Sequence, residues 1–350
     1  MPDRTLSRRE LNRAVLARQL LLERSDLSIP AALEQVGGLQ TQYSPAGYVG
    51  LWSRLRDFQR ESLTEALSRR KVVQATLMRS TIHMVSARDY RLFAAGSRRI
   101  RREWWLRVQK RQLEGIDTRA GAERVRSLLA DGPRRQAEIL KLLEADGLGR
   151  LAFSSASAWL DLVRVPPSGT WHQRRADLYG LAEEWLGPSE VTEENGQEHL
   201  VRRYLGGFGP AASADIASWA GFPAGAVRPV LERMDLQTFR DEDGRELVDL
   251  PGAPLPEPDT PAPVRFLHTW EALLLVHARR SEVLSQEYRP RVFNTRTPHS
   301  VPTFLVDGQV AGTWRYDKDR IVTEPFRRLT PSVRRAVEEE AEGLAPFHAE

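Results

Sequence analysis

Two glutamines one residue apart, Gln40 and Gln42, are the residues whose type and spacing most directly suggest chemistry. They lie in the stretch GGLQTQYSP, where two glycines end a helical pattern and Pro45 opposes an early restart of a helix. A side-chain amide can accept a hydrogen bond from water, and its carbonyl dipole can lie beside a developing positive charge. The pair predicts a water-positioning site on irregular backbone. The competing interpretation is that the amides only satisfy loop backbone groups.

Several other kinds of site are poorly supported. The chain has no cysteine, which excludes disulfides, thiolate metal sites and a thiol nucleophile. Its seven histidines are scattered without paired ligand spacing, which argues against a zinc site. Neither a P-loop nor a dinucleotide-binding fingerprint is present. We therefore expect no metal and no cofactor.

The length and charge of the chain indicate a protein with more than one packed unit. It has 350 residues, 41% of them hydrophobic, and a net charge of +4. It lacks an apolar run long enough to span a membrane, and its N-terminus is polar, so we expect a cytoplasmic location and no membrane partner.

The run RRIRREWWLRVQKR carries seven basic residues against one glutamate. Its arginines are either phosphate contacts or a solvated helix face, and the candidates for DNA contact are Arg98, Arg99, Arg101 and Arg102.

Helices followed by a two-stranded ribbon are predicted for the first part of the chain. Helical spacing covers 8–23 and 30–36, and further helices are expected over 48–56 and from Ser62, which with Glu65 matches the capping-box pattern. Alternating branched residues predict strands over 72–77 and 80–85, and a long basic helix follows over 86–113. This order is typical of a winged helix, a DNA-binding module. Alternation predicts a common strand face for three near-site candidates, Arg79, Thr81 and His83.

An internal repeat extends this organisation. Gly132-Pro133 followed by Glu138-Ile139 is echoed by Gly209-Pro210 followed by Asp215-Ile216, and each copy leads through a helix to an alternating hairpin, over 160–181 and 236–250. A proline-rich linker is expected over 251–263. Short strands are predicted over 264–267, at Val292-Phe293, and over 303–306 and 310–314, with a hairpin turn at Asp307-Gly308. A final helix is predicted over 331–344.

The predicted fold is helix-rich α+β, with three tandem winged helices and a small C-terminal β-barrel. The expected units are 1–115, 116–190, 191–252 and 264–350. His268 is a further near-site candidate, although a structural histidine is the commoner role. The candidates for phosphate contact in the last unit are Arg289, Arg291, Arg296 and Arg315.

Several stretches occur in a recognisable order along the chain: LNRAVLARQLLLER, GGLQTQYSP with GLWSRL, TLMRSTIHMVSARDY, EALLLVHARR, and YRPRVF with PTFLVDGQVAGTWR. Together they resemble the winged-helix DNA-binding family that includes the AlkZ-type DNA glycosylases. The resemblance implies three winged helices closed by a small barrel around duplex DNA. It also implies removal of bulky alkylated purines, or unhooking of crosslinks, often as protection against genotoxic natural products.

The same resemblance implies catalytic roles for Gln40 and Gln42. The family's motif is a pair of polar residues, two glutamines or a glutamine and an aspartate, separated by one apolar residue. Thr41 departs from the apolar middle position. A purine alkylated at N7 is already cationic and leaves as a neutral base, so no strong general acid is needed. We expect monofunctional hydrolysis, because the motif has no lysine to form a Schiff base.

A second hypothesis belongs to a different class of protein. Winged helices are common in transcription regulators, and three of them could bind DNA without catalysis. A regulator would usually be a dimer on a palindromic site. Three unlike copies in one chain favour a monomer that binds one stretch of alkylated duplex DNA.

Overall fold

The computed structural model of the chain describes residues 4–275, 282–293 and 300–349. Within these ranges the fold is mixed α/β, with fifteen helices and three sheets. The helices are α1 (Arg8–Arg18), α2 (Ile29–Val36), α3 (Pro45–Trp52), α4 (Arg60–Ser68), α5 (Ala87–Val108), α6 (Thr118–Leu129), α7 (Gln136–Ala145), α8 (Gly149–Trp159), α9 (Ala182–Leu186), α10 (Glu193–Phe208), α11 (Ser213–Ala220), α12 (Arg228–Leu231), α13 (Ala272–Leu275), α14 (Arg289–Val292) and α15 (Pro331–His348). The strands are β1 (Thr5–Leu6), β2 (Leu39–Gln40), β3 (Val72–Thr76), β4 (Ile82–Ser86), β5 (Arg134–Arg135), β6 (Leu162–Arg164), β7 (Leu178–Leu181), β8 (Gln237–Asp241), β9 (Glu246–Asp249), β10 (Arg265–Leu267), β11 (Thr303–Val306), β12 (Gln309–Asp317) and β13 (Arg320–Pro325).

The largest sheet joins the first two helix-and-hairpin units. Its six antiparallel strands run in the order β2-β4-β3-β6-β7-β5. The link between the units is the pairing of β3 with β6, in which Gln74 lies opposite Arg164. The strand that contains Gln40 is therefore an edge strand of a sheet that is anchored in both units.

The N-terminal segment packs against the third unit and against the proline-rich segment. Strand β1 pairs in parallel with β8, which forms a hairpin with β9. The Arg18 guanidinium of α1 makes two hydrogen bonds with Asp249 of β9, 2.6 and 2.7 Å long, and also donates to the carbonyl of Pro254. Arg13 donates to the carbonyl of Thr260. The segment predicted as a linker therefore lies along α1, because buried arginines of that helix use its carbonyl groups as acceptors.

The C-terminal strands form a sheet where a small barrel was predicted. Strands β10 to β13 pair in sequence order and antiparallel, and within the described residues the sheet is open, since β10 and β13 do not pair with each other. Its apolar face includes Phe266, Phe304 and Trp314, which share one core with Leu344 of α15. This core buries the face without closure of the sheet.

Helices α5 and α10 both contribute side chains to the main core and approach each other closely. A Cβ atom added to Gly96 of α5 would lie 2.4 Å from the backbone carbon of Gly196 in α10. Phe93 and Trp219 pack edge to face beside this crossing, with ring centroids 6.0 Å apart. The two glycines therefore allow α5 and α10 to approach more closely than side chains would permit.

Most predicted elements are present, and two predictions are wrong in detail. The hairpin at Asp307-Gly308 has the two left-handed φ angles, 48° and 79°, that such a turn favours. Helix α4 begins at Arg60 without a side-chain cap, so the capping box predicted at Ser62 is absent. The strand predicted at Val292-Phe293 is wrong: Val292 ends α14, and Phe293 makes one isolated bridge to Ser300. The proline at position 290 suits the first turn of a helix.

Candidate active site

The backbone around Gln40 is set by the two glycines that precede it. Gly37 ends α2 in the left-handed conformation, and Gly38 follows with φ of 81°. A Cβ atom at Gly38 would lie 2.7 Å from Cγ1 of Val85, so only glycine lets the chain come this close to β4. Gln40 then pairs with His83 across the sheet. The irregular backbone predicted for this residue is instead a short strand, since β4 supplies hydrogen-bond partners.

Gln40 is buried, and its amide is oriented by Arg79. The side chain is 4% exposed, and its Oε1 accepts a hydrogen bond of 2.9 Å from Nη2 of Arg79. Because a guanidinium can only donate, the group that faces it must be the carbonyl oxygen. One acceptor site of the Gln40 oxygen is therefore occupied, and one is left.

Gln42 is exposed, and its oxygen is held by backbone. Its Oε1 accepts a hydrogen bond of 3.2 Å from the amide of Ile82, and the amide of Thr41 donates to the carbonyl of the same residue at 2.8 Å. Thr41 is fully buried, and a Cβ atom built on Gly47 would lie 3.0 Å from its methyl group. The threonine methyl thus packs against α3, as an apolar residue would at this position.

Arg79 occupies a strained turn between β3 and β4. It has φ of 54° and ψ of 20°, in the left-handed region, and a Cβ atom on Gly221 would lie 2.8 Å from its amide nitrogen. Its Nη1 donates to the carbonyl of Trp219, in the last turn of α11, where unpaired carbonyls attract cations. Burial lowers the pKa of Arg79 to about 10, so the side chain keeps its charge at neutral pH.

His83 is a neutral partner of Arg79. It is 2% exposed, with Nδ1 3.1 Å from the carbonyl of Thr81 and Nε2 3.4 Å from Nη2 of Arg79. Burial, and then the charge of Arg79, lowers the pKa of His83 to about 3. The Thr81 hydroxyl donates to the carbonyl of Met78. The turn therefore brings Arg79 and His83 to Gln40, whereas strand alternation was expected to align all three candidates.

His268 belongs to a buried ionic cluster beneath α3. Its Nε2 lies 3.1 Å from Glu271, which also accepts hydrogen bonds of 3.0 and 3.1 Å from Arg54. Burial alone would raise the pKa of Glu271, but the charges of Arg54 and His268 outweigh it and hold that pKa below its usual range. A Cβ atom on Gly50 would lie 2.8 Å from the His268 ring. His268 is thus locked against α3 rather than beside the amide pair.

The arginines of the basic run on α5 are mostly engaged within the protein. Arg98 pairs with Asp161, and Arg99 with Glu193 and Glu103. Arg101 donates to the carbonyl of Thr76, and the guanidinium of Arg102 lies 5.0 Å from the ring centroid of Trp159. Arg98 and Arg99 remain about half exposed. Their contact with phosphates stays a prediction.

The arginine candidates near the C-terminal sheet do not form one cluster with the amides. Arg291 lies over the ring of Phe326, 4.0 Å from its centroid, and Arg289 lies 5.8 Å from that of Phe293. Arg315 pairs with Glu324 across the β12–β13 ladder. Arg296 lies outside the described residues.

Tyr43, the residue after Gln42, lines a cavity whose walls are largely aromatic rings, called here the ring-lined cavity. Its volume is about 330 Å³, and it lies between α3, the loop after β6, and the C-terminal sheet. Its walls include His268 and Arg315, which the sequence had singled out for other reasons. They also include residues that the sequence did not single out: Tyr43, Trp171, Arg174, Trp314, Tyr316 and His348. These residues come from four separate stretches, so no local spacing could have grouped them.

Two kinds of feature are not found among the described residues. Across the described part of the chain, no group of three or more histidine, aspartate or glutamate side chains is arranged to hold a metal ion. Among the helices of residues 4–275, 282–293 and 300–349, none has the length and apolar character of a membrane span.

Comparison with known proteins identifies a family and a structure of similar fold. A family model described as DNA glycosylase AlkZ-like matches residues 33–347. The structure is similar to that of Streptomyces sahachiroi DNA glycosylase AlkZ, with a TM-score of 0.83 and 20% sequence identity over 99% of this chain and 97% of that one. A search of curated proteins finds no match.

Proposed function

Because the chain belongs to the AlkZ-like DNA glycosylase family, we propose that it hydrolyses the N-glycosidic bond of bulky N7-alkylated purines in duplex DNA. The observation that carries the proposal is the pair of oriented amides. Gln40 is held by Arg79 inside the sheet edge, and Gln42 is held by the backbone of Ile82 at the surface. Both lie within the span that the family model matches.

The reaction suits two neutral side chains. Cleavage of the bond leaves positive charge on the sugar, and an N7-alkylated purine departs as a neutral base without prior protonation. A carbonyl oxygen has two acceptor positions, and each glutamine uses one of them within the protein. The remaining positions can hold a water molecule and direct dipoles toward the sugar. Arg79 acts through Gln40 and is a positioning residue.

The residues around the motif favour a monofunctional enzyme. The lysines of the chain are Lys71, Lys110, Lys141 and Lys318, and none takes part in the hydrogen bonds of Gln40 or Gln42. Lys71 precedes β3 and lies at the end of that strand opposite to Thr76, about 16 Å away at the usual rise per residue. His83 is neutral at physiological pH and cannot serve as a cationic acid. Hydrolysis by water is therefore favoured over Schiff-base chemistry.

The architecture supports a DNA-binding role for the rest of the chain. Helices followed by a hairpin occur three times, with the hairpins β3–β4, β6–β7 and β8–β9. We interpret these units as tandem winged helices, with the boundaries 1–115, 116–190 and 191–252 and a last unit over 264–350. The half-exposed Arg98 and Arg99 can exchange their carboxylate partners for phosphates. This arrangement supports our proposal of a monomer that wraps one stretch of damaged duplex.

The experiment is incubation of the protein with a duplex that carries one N7-methylguanine, followed by alkaline cleavage. We expect strand breaks at the lesion only after alkali and in clear excess over the same lesion duplex treated without protein, and none in the unmodified duplex. A series of lesions of increasing size that all stay intact would overturn the glycosylase proposal and favour the regulator. Breaks that form without alkali would overturn the monofunctional assignment.

A further inference from the structure

We propose that a cavity between the first two helix-and-hairpin units is a phosphoryl-binding site, in which Arg101 and Arg164 together hold one phosphate group. The cavity, called here the arginine cavity, lies between helices α5 and α8 and strands β3, β6 and β7. Its volume is about 170 Å³, whereas a single water molecule needs about 10–15 Å³. The site is separate from the amide pair, and its occupation does not require cleavage of a glycosidic bond.

Arg164 of β6 is a buried cation without a carboxylate partner. Its side chain is 7% exposed, and it forms no ion pair in the described part of the chain. Its Nε and Nη1 have no hydrogen-bond partner there, and Nη2 makes one long contact of 3.5 Å with the hydroxyl of Tyr179. A buried charge without compensation is strongly destabilising. An anion in the cavity that Arg164 lines would supply the missing compensation.

Arg101 of α5 adds a second positive charge to the same cavity. Its side chain is 10% exposed, and its Nη2 lies 4.0 Å from Asp161, a carboxylate that already accepts two hydrogen bonds from Arg98. Its Nη1 donates to the carbonyl of Thr76, and its Nε has no partner within the described ranges. Burial lowers the pKa of Arg101; Asp161 opposes this shift, and the charges of Arg98 and Arg164 add to it. The two cavity arginines therefore repel each other, and an anion between them would remove the repulsion.

The remaining polar groups of the arginine cavity suit a phosphate. Two guanidinium groups can each make paired hydrogen bonds with phosphate oxygens. Burial, followed by the charge of Asp161, raises the pKa of Tyr90, so its hydroxyl keeps its proton and can donate. The side-chain amide of Gln136, which also lines the cavity, has two further N–H donors. A phosphate presents acceptor oxygens in several directions, whereas a carboxylate presents two in one plane.

The position of the cavity favours a phosphate of the bound DNA strand. Thr76 lines the cavity and pairs with Ile82, whose amide donates to Gln42. Neighbouring strands are about 4.8 Å apart, which places the cavity about 10 Å from Gln42. One strand of duplex DNA carries a phosphate about every 3.4 Å along the axis, so this distance corresponds to about three nucleotides. A free phosphate ion offers the same chemistry, and the experiment distinguishes the two sources.

The first measurement is the binding of inorganic phosphate to the full chain. The variant is Arg164→Met, which keeps an apolar stem and removes the charge. The control is Arg69→Met, which removes an exposed arginine, paired with Glu65, near the end of β3 that lies opposite to Thr76. For a free-ion site we expect phosphate to raise the Tm of wild type above its value in chloride of equal ionic strength. Calorimetric titration should show binding weakened by about tenfold or more in Arg164→Met and unchanged in Arg69→Met.

The second measurement is the salt dependence of binding to an undamaged duplex. Each phosphate contact contributes about 0.9 to the slope of log K against log salt concentration. For a backbone-phosphate site we expect Arg164→Met to reduce this slope by about one contact and Arg69→Met to leave it unchanged. Arg101→Met has the same expected effects and replaces Arg164→Met if that variant does not fold.

The two measurements support or overturn the site independently of glycosylase activity, since neither of them follows cleavage. A loss confined to the cavity variant supports the site, and the measurement in which it occurs identifies the source of the phosphate. If wild type does not bind inorganic phosphate and the salt slope of the cavity variant equals that of wild type, the proposal is overturned. An equal loss in Arg69→Met would show a general effect of net charge and would also overturn it.

Discussion

Replacement of Arg79 by methionine should show how much of the activity depends on the orientation of the Gln40 amide, because Gln40 itself is kept. Arg79→Met keeps a long apolar stem and removes the donor to the Gln40 oxygen, a contact of 2.9 Å. A hydrogen bond from a charged donor contributes about 1.5–3 kcal/mol. If the bond holds the carbonyl in its reactive direction, its loss raises the activation free energy by this amount. Each increase of about 1.36 kcal/mol lowers a rate tenfold, so the rate of the chemical step should fall by about 10- to 150-fold.

Single-turnover release of N7-methylguanine is the assay, since it isolates the chemical step from product release. Arg79→Lys restores a charged donor in a different geometry and should recover part of the loss. Thermal unfolding followed by circular dichroism must accompany both variants, because Arg79 also donates to the carbonyl of Trp219. A folded Arg79→Met protein with a rate within about twofold of wild type would refute the orienting role.

Three further predictions concern stability and pH. Asp249→Ala leaves Arg18 buried without its carboxylate and should cost about 3–5 kcal/mol in chemical denaturation. Gly96→Ala would press a methyl group into the backbone of Gly196 and should cost at least about 1–3 kcal/mol, measured in the same way. His83 has a pKa of about 3 in the folded state and about 6.5 when unfolded. Between these pH values the unfolded chain therefore binds one more proton than the folded chain. The contribution of neutral, buried His83 to the free energy of unfolding is complete above about pH 6.5 and is lost as pH falls toward 3. His83→Gln should therefore flatten the decline of stability measured between these pH values.

Matched controls make these expectations falsifiable. Asp243→Ala breaks an exposed contact with Arg8 and should cost less than about 1 kcal/mol; equal losses for Asp243 and Asp249 would contradict the role of burial. A Cβ atom added to Gly206 of α10 would meet no atom within 4 Å, so Gly206→Ala should stabilise the folded protein by about 0.5–1 kcal/mol. A loss of stability in Gly206→Ala would contradict the steric explanation of the Gly96→Ala effect. An unchanged pH slope in His83→Gln would show that this histidine is not buried and neutral.

The sequence predicted helix ends and turns well where glycine residues mark them. Glycines at positions 37 and 38 end α2, and Asp307-Gly308 forms the expected hairpin. The amide pair could be singled out from the sequence, but its partners could not. Arg79 reaches Gln40 only because a left-handed turn, packed against the end of α11, points its side chain back toward β2. That arrangement depends on contacts between residues 140 positions apart.

In the C-terminal half, too, contacts between distant residues could not be predicted from the sequence. Strand patterns were recognised in β10 to β12, yet the choice between a barrel and an open sheet depends on which surface covers the apolar face, and α15 shares that core. Similarly, Arg54 and Glu271 form a buried pair that no spacing reveals, since 217 residues separate them. The ring-lined cavity is assembled from segments scattered along the whole chain.

The central claim is tested most directly by the single-turnover rate of the double variant Gln40→Ala, Gln42→Ala on a duplex with one N7-methylguanine. The control is Gln237→Ala, which removes an exposed amide on β8. If the two oriented amides stabilise the transition state, the double variant should lose about 100-fold or more in rate while it still binds the duplex, and the control should match wild type. A folded double variant that releases the base at the wild-type rate would contradict the claim.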